Sequence, residues 1–377
     1  METGLYIHVP YCRLKCIYCD FYSGGARIAD WKAFSEAIAA ELSQRSGELT
    51  EAPSTIYFGG GTPSLIPGRF FASIVEAIDK WCGTGKLLEF TVEVNPEDVT
   101  EENCKIWKES GVNRISMGIQ TMDDRELKSI GRRHDSFTIL KAYESLQRQF
   151  SNISVDLMFG LPGQSLKSYE QSLNEIIGLH PCHISSYSLM LEEGTAMTLL
   201  VNSGKIKIPD EEMWADMFNL TSDMLRNAGY KRYEVSNFAL PGYESRHNTA
   251  YWKGNPYLGI GPSAHSYDGH NTRRMNPSDI KAYLNHFSKG KQPKSFFREE
   301  ILTQEELREE MIMTRLRMSE GLNVQEFRMR FGDEALHDLL NKAGNLKRNG
   351  LLETTSDSIR ITEKGILLGN DIMASLF

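Results

Sequence analysis

The chain has 377 residues, 40% of them apolar and 24% charged, with 42 Lys+Arg against 50 Asp+Glu for a formal charge of −8. That length suits one large α/β domain with a smaller module, and the ordinary composition excludes disordered and fibrous classes. Net acidity argues against nucleic acid or an anionic membrane as the main partner, and no apolar run approaches the roughly 18–20 residues that span a bilayer.

Reading from the N-terminus, Met1-Glu2-Thr3-Gly4 lacks the cationic and apolar segments of a secretory leader, so a cytoplasmic protein is expected. Up to about residue 226, short apolar runs alternate with longer amphipathic stretches. Runs at 5–9, 55–58, 90–94, 114–119, 153–158 and 184–189 are rich in β-branched and aromatic residues and predict strands. Trp31, Phe34, Ile38 and Leu42 form one apolar stripe at helical spacing, and further helices are predicted over 70–81, 101–109, 136–149, 168–178 and 211–227. Six strand–helix units imply a parallel sheet with right-handed crossovers, either an open doubly wound sheet or a full or partial (β/α) barrel. Both architectures carry their chemistry at the carboxyl ends of the strands. There lie three cysteines, Gly59-Gly60-Gly61-Thr62, Asn95-Pro96, Gln120 and Gly160-Leu161-Pro162-Gly163.

Past residue 226, Pro241-Gly242, Gly254-Asn255-Pro256 and Gly259-Ile260-Gly261-Pro262 read as ordered loops. A linker is expected at 288–293. Helices follow at 305–318, 324–330 and 333–346, then a hairpin of 351–354 with 358–361 and a last helix at 366–375. This order resembles a winged helix. Residues 301–377 carry 10 Lys+Arg and 13 Asp+Glu, which lacks the electrostatic footprint for DNA and favours a structural or lid-like module. The expected organisation is a barrel at 1–230, a connecting region at 231–290 and a helical module at 291–377.

Six cysteines are too few for a disulfide scaffold. Cys82, Cys104 and Cys182 stand alone and read as small buried side chains. Cys12, Cys16 and Cys19 fall within eight residues of each other, directly after the first strand. A structural zinc would need a fourth ligand, and the nearest histidine, His8, lies inside that strand. The spacing instead suits three thiolates wrapped around one iron–sulfur cluster, with an iron left open.

C-x3-C-x2-C at the end of the first strand resembles the radical S-adenosylmethionine superfamily. The resemblance implies a [4Fe–4S] cluster on Cys12, Cys16 and Cys19, whose open iron is chelated by the cofactor. It implies reductive cleavage of the cofactor's C–S bond to give methionine and a 5′-deoxyadenosyl radical. Phe58-Gly59-Gly60-Gly61-Thr62-Pro63, Glu93-Val94-Asn95-Pro96, Ser116-Met117-Gly118-Ile119-Gln120, residues 156–164 and Gly259-Ile260-Gly261-Pro262-Ser263-Ala264-His265-Ser266 look like oxygen-independent coproporphyrinogen III oxidase and its relatives. In that family the residues matching Tyr6, Tyr18, Gly60, Gly61, Thr62, Glu93, Gln120, Arg132 and Asp156 contact S-adenosylmethionine. The fold it implies is a partial (β/α)6 barrel followed by a C-terminal helical, winged-helix-like domain.

Two departures separate the chain from the oxidase. The oxidase motif continues to a fourth cysteine, where Phe21 stands here, and the oxidase has an N-terminal extension, whereas this chain begins eleven residues before Cys12. Both features match the HemW-type haem chaperones, which bind haem and deliver it to haem proteins. Their H-N-x-x-Y-W signature appears as His247-Asn248-Thr249-Ala250-Tyr251-Trp252. An imidazole is a common axial haem ligand and aromatics offer flat apolar surface, so His247 is the expected ligand and His265 the second candidate. The resemblance thus implies haem and acceptor haem proteins as partners, with peripheral contact where an acceptor is membrane-bound. The alternative is oxidative decarboxylation of coproporphyrinogen III. A redox-sensing winged-helix regulator fails on the acidic C-terminal charge.

Overall fold

The computed structural model describes residues 2–49, 51–84, 87–288 and 296–377. The expected linker at 288–293 lies, apart from Ser288, outside the described residues. Six strands follow the predicted order: β1 (Gly4–Val9), β2 (Thr55–Gly60), β3 (Glu89–Val94), β4 (Arg114–Gln120), β5 (Ile153–Phe159) and β6 (His183–Ser188). They pair in parallel in that order. The sheet does not stop there. A seventh strand, β7 (Tyr257–Ile260), pairs in parallel with the free side of β1. Short antiparallel strands at 265–267, 272–275 and 298–301 extend that edge, and 237–239 and 231–232 extend the edge beyond β6. The result is a partial (β/α) barrel, an open curved sheet with helices outside.

Strand period two explains how such a sheet encloses polar chemistry. In β1, Leu5, Ile7 and Val9 are fully buried against the helix layer, while Tyr6 and His8 turn inward and bond to each other. The same alternation turns Tyr57, Glu93, Arg114, Ser116, Asp156 and Ser185 toward a common interior cavity. Outside, the helix Trp31–Arg45 buries Phe34, Ile38 and Leu42 as its stripe requires, and Asp30 caps it by accepting from the Ala33 N–H at 2.9 Å.

The Gly/Pro-rich region read as loops at 254–262 is instead where β7 forms. Its pattern was masked because Gly259 sits mid-strand, where a Cβ would lie 1.9 Å from the His265 carbonyl oxygen. A buried polar network holds this region down. Glu41 and Arg45, one turn apart on the first helix, pair at 2.8 Å with almost no exposure. Arg45 donates to the Gly259 carbonyl and to Ser266 Oγ, both at 2.9 Å. Glu41 accepts from the Gly261 N–H at 2.9 Å, Tyr283 Oη at 2.6 Å and Asn276 Nδ2 at 2.7 Å.

The C-terminal segment has its own apolar core of Met311, Ile312, Leu316, Leu322, Phe327, Leu336, Leu339, Leu352, Ile359 and Ile372. Helices Gln304–Leu316 and Val324–Arg348 pack on a small sheet in the order 322–323, 358–361, 352–354. The long helix breaks its geometry at Gly332, with φ 88° and ψ 176°, between the two helices predicted from sequence.

Candidate functional site

A cavity of about 410 Å³ opens at the carboxyl ends of the strands. Cys12, Cys16 and Cys19 rim it as half-buried free thiols on the loop that leaves β1. Tyr11–Cys12 pairs with Gly24–Gly25, which closes that loop on itself. Within it the Cys19 N–H donates to the Cys16 carbonyl at 3.2 Å, and Lys15 Nζ donates to the Phe21 carbonyl at 3.0 Å. Thr62 Oγ1 lies 3.4 Å from Cys12 Sγ. Burial pushes the Cys19 thiol up, with the neighbouring Cys16 and Cys12 sulfurs adding to the shift. Among the described residues, no group of three His, Cys, Asp or Glu side chains is placed to hold a single metal ion. The thiols line one wall of a large hollow, a donor set suited to a multi-iron cluster rather than to a closed tetrahedral zinc.

Beside the Cys12 end of that loop, Gly59-Gly60-Gly61 runs along β1 at contact distance. A Cβ on Gly60, whose φ is +102°, would sit 2.6 Å from the His8 ring, and one on Gly61 would sit 2.7 Å from the Val9 carbonyl oxygen. No side chain fits there, so the cavity is lined by backbone. On β4, Gln120 adopts φ +73° at an irregularity in the β4–β5 register. A non-glycine residue in that region stores strain, of the kind that accumulates at binding sites.

Charged groups gather in the same space. Arg132 donates to Asn95 Oδ1 at 2.8 Å, while its Nε is buried with no partner among the described residues. Tyr18, packed beside Ile130 and Met158, is close enough to Arg132 and Cys16 to interact with both. Glu93 accepts from Tyr57 Oη at 2.8 Å, and burial pushes its pKa up to about 7. Asp156 accepts from Ser116 Oγ at 3.3 Å, and burial raises it too. Tyr6 stacks on Tyr57, ring centroids 6.2 Å apart, as part of the wall behind these carboxylates. The structure therefore brings Tyr18, Gly60, Gly61, Thr62, Glu93, Gln120, Arg132, Asp156 and the three cysteines to one cavity, with Tyr6 one layer behind.

His247 goes elsewhere. It is 1% exposed beneath the cavity floor, on the helix Arg246–Trp252. Its Nδ1 is 2.8 Å from Thr55 Oγ1 and its Nε2 is 2.8 Å from Tyr251 Oη, while its ring stacks 5.1 Å from that of Tyr57. Burial drives its pKa down to about 3, so the ring stays neutral. Both ring nitrogens are hydrogen-bonded, and the ring does not line the cavity. The C-terminal module closes over the same helix from below: Arg315 donates to the Trp252 carbonyl and, at 2.8 Å, to that of Lys253, and Arg317 lies over the Trp252 ring. His265 is exposed on its strand and does not line the cavity.

Sequence reasoning missed Tyr57, Arg114, Ser116, Ser185, Tyr187 and Asn248, all of which line the cavity. The signal was present as polar residues at every second position of strands otherwise buried on both faces. Fully buried parallel strands are expected to be near-continuously apolar, so these exceptions mark an enclosed polar interior.

Residues 6–176 match the Radical SAM superfamily, and residues 302–368 match the HemN C-terminal domain. "Heme chaperone HemW" from Bacillus subtilis is 34% identical over 375 residues, 98% of each chain. The protein of the same name from Lactococcus lactis is 34% identical, covering 98% of this chain and 96% of the relative. "Radical S-adenosyl methionine domain-containing protein 1, mitochondrial" from Danio rerio is 31% identical, covering all of this chain and 87% of the relative. Among solved structures, coproporphyrinogen III oxidase (HemN) from Escherichia coli superposes with a TM-score of 0.84 at 21% identity, covering 100% of this chain and 90% of that one. That likeness establishes the fold. With full-length identity of this order to the HemW proteins, the chain belongs to the HemW heme chaperone family of the radical SAM superfamily.

Proposed function

We propose that the protein binds haem and passes it to acceptor haem proteins, using a [4Fe–4S] cluster and S-adenosylmethionine held at the barrel mouth. One observation carries this reading. Three free thiols, a backbone-lined glycine turn and an arginine with an unfilled donor converge on one cavity, in a chain that matches heme chaperones along its whole length. Cys12, Cys16 and Cys19 are assigned the cluster. When bound, the cluster and cofactor supply one-electron reductive cleavage of a C–S bond.

The chain's own part is positioning. Arg132 is placed to pair with the cofactor's carboxylate, bidentately, through the donors that Asn95 leaves free. The backbone at Gly60 and Gly61, with Thr62, takes the ammonium end. Glu93, Gln120 and Asp156 accept or donate to the ribose hydroxyls, while Tyr18 lies beside the adenine and Tyr6 backs the wall. Phe21, 62% exposed at the position of the oxidase's fourth cysteine, offers apolar surface at the mouth instead of a ligand. Iron ligation by His247 would break one of its ring hydrogen bonds, to Thr55 or to Tyr251, and would need the iron to reach a ring that is 1% exposed, so it is assigned to the floor, and the haem ligand is sought elsewhere, first at exposed His265.

The division of the chain belongs to the same reading. Residues 1–230 form the barrel, 231–290 complete its sheet, and 291–377 form the module, supported by the separate core; strand 298–301 still pairs with the barrel sheet. Among the described residues no helix is long and apolar enough to cross a membrane. A cytoplasmic protein with peripheral contact to membrane-bound acceptors is consistent with that.

The deciding experiment sets haem binding beside decarboxylation, using anaerobically reconstituted protein with reductant and S-adenosylmethionine. Haem retention without conversion of coproporphyrinogen III is the expected result. Multiple-turnover decarboxylation would replace the chaperone reading with the oxidase one.

A further inference from the structure

Arg114 enters at the first residue of β4 and is 1% exposed, the largest fully buried side chain in the molecule's described part. It lines the deep end of the cavity, yet its Nε and Nη1 have no hydrogen-bond partner among the described residues. A buried guanidinium with empty donors is costly, and although Glu89 and Asp156 face it and offset its charge, neither fills those donors. The carboxylates that face it are already engaged. Glu89 accepts from the N–H groups of Arg246 at 2.8 Å and His247 at 3.2 Å, and from Ser245 Oγ at 3.3 Å. Asp156 accepts from Ser116, and Glu93 from Tyr57. Arg132, one of three further arginines that line the cavity with Arg13 and Arg133, lies beside Tyr18 and Cys16, where the cofactor's carboxylate is assigned.

We propose that Arg114 is an anion-recognition residue for a second ligand, taking a carboxylate at the cavity floor while the adenosyl cofactor occupies the mouth. Asn248, which lines the cavity with it, is a neutral hydrogen-bonding group beside that carboxylate, while Ser185 is already bonded to Asp156. Resting on the haem reading above, the carboxylate is a propionate arm of the tetrapyrrole. The other source of a carboxylate in this cavity is the methionine end of S-adenosylmethionine, and the two are separable.

The test titrates haem, haem dimethyl ester and S-adenosylmethionine into cluster-loaded wild type, Arg114→Gln and Arg114→Lys, with a thermal melt of each. Esterification removes the anion and keeps the macrocycle. Expected are at least tenfold weaker haem binding in Arg114→Gln, ester binding that is already weak in wild type and falls no further, and a loss of S-adenosylmethionine affinity smaller than that for haem, since Arg114 also faces Glu93 and Asp156. Arg114→Lys keeps the charge but loses the fork, and is expected to lie between. If Arg114→Gln does not fold, the Lys variant carries the comparison: a several-fold loss for haem with none for the ester supports the assignment. Equal losses for haem and ester, no loss for either, or a loss confined to S-adenosylmethionine would overturn it. Wild type that binds neither haem nor ester would overturn the haem reading itself, a different outcome from a wild type that binds haem indifferently to Arg114.

Discussion

Arg114 apart, the polar groups at the floor and at the mouth of the barrel end in opposite states. At the floor, His247 has both nitrogens filled by Thr55 and Tyr251, and His183 has both filled by Ser154 and Tyr233 at 2.7 and 2.8 Å. Glu89 there takes two backbone N–H groups and two hydroxyls. At the mouth, three thiols are free, Arg132 keeps an empty donor, Gln120 sits in a strained conformation, and Glu93 is pushed up to about 7. A saturated polar network rigidifies a fold, whereas an unsaturated one keeps capacity for a ligand. Saturation, not residue type, separates the histidine of the sequence motif from the groups that face the cavity.

The comparison is broken most severely at the thiols. Replacing Cys12, Cys16 and Cys19 together by Ala is expected to abolish iron and sulfide incorporation and the cluster's visible absorption, with little change in melting temperature. Ala at Cys82, Cys104 and Cys182 should leave the iron content intact. Equal iron in the triple variant and wild type would remove the thiols from the site.

Next in size are the groups that saturate the fold. Glu41→Ala removes the buried acceptor of the Gly261 N–H, Tyr283 and Asn276 and leaves Arg45 paired with Glu48 alone, which costs about 3 kcal/mol, read as a lower denaturation midpoint. His247→Ala leaves Thr55 and Tyr251 unpaired in a small void and is expected to cost about 2–4 kcal/mol of stability. If haem affinity and the Soret band of the folded His247→Ala protein stay as in wild type, the floor assignment is sharpened. A Soret shift would return His247 to the iron.

At the mouth, Arg132→Ala should leave stability nearly unchanged but weaken S-adenosylmethionine by about 2–3 kcal/mol, tens- to a hundredfold, in calorimetry. Unchanged affinity would take it out of the cofactor site. The smallest effect is a pH slope. Burial raises the Glu93 pKa in the native state to about 7, so between its unfolded value and pH 7 the native protein holds more protons than the unfolded chain. Its contribution to stability is then greatest at low pH and declines as pH rises through that window. Glu93→Gln should flatten this part of the stability profile; an unaltered slope would place its origin at another group.

The six parallel strands, the outer helices and the cysteine triplet were legible in the sequence because each depends on local pattern: period two, period 3.6 and thiol spacing. So was the gathering of Gly60, Glu93, Gln120, Arg132 and Asp156, since parallel strands put all their carboxyl ends on one face. What only the tertiary structure decided was pairing across long separations. β7 begins at Tyr257, far along the chain from the end of β1 at Val9, and Gly259 hides its strand character until the sheet edge is there to receive it. The role of Glu41 and Arg45 as a buried clamp depends on carbonyls and amides that arrive from residues 259–283. His247 looked like a ligand because its motif carries no record of Thr55 and Tyr251 closing over both nitrogens, and Arg114 drew no reading because its unfilled donors are a property of the enclosed space. Local periodicity is written in neighbouring residues, but whether a polar group is satisfied depends on what the fold sets beside it.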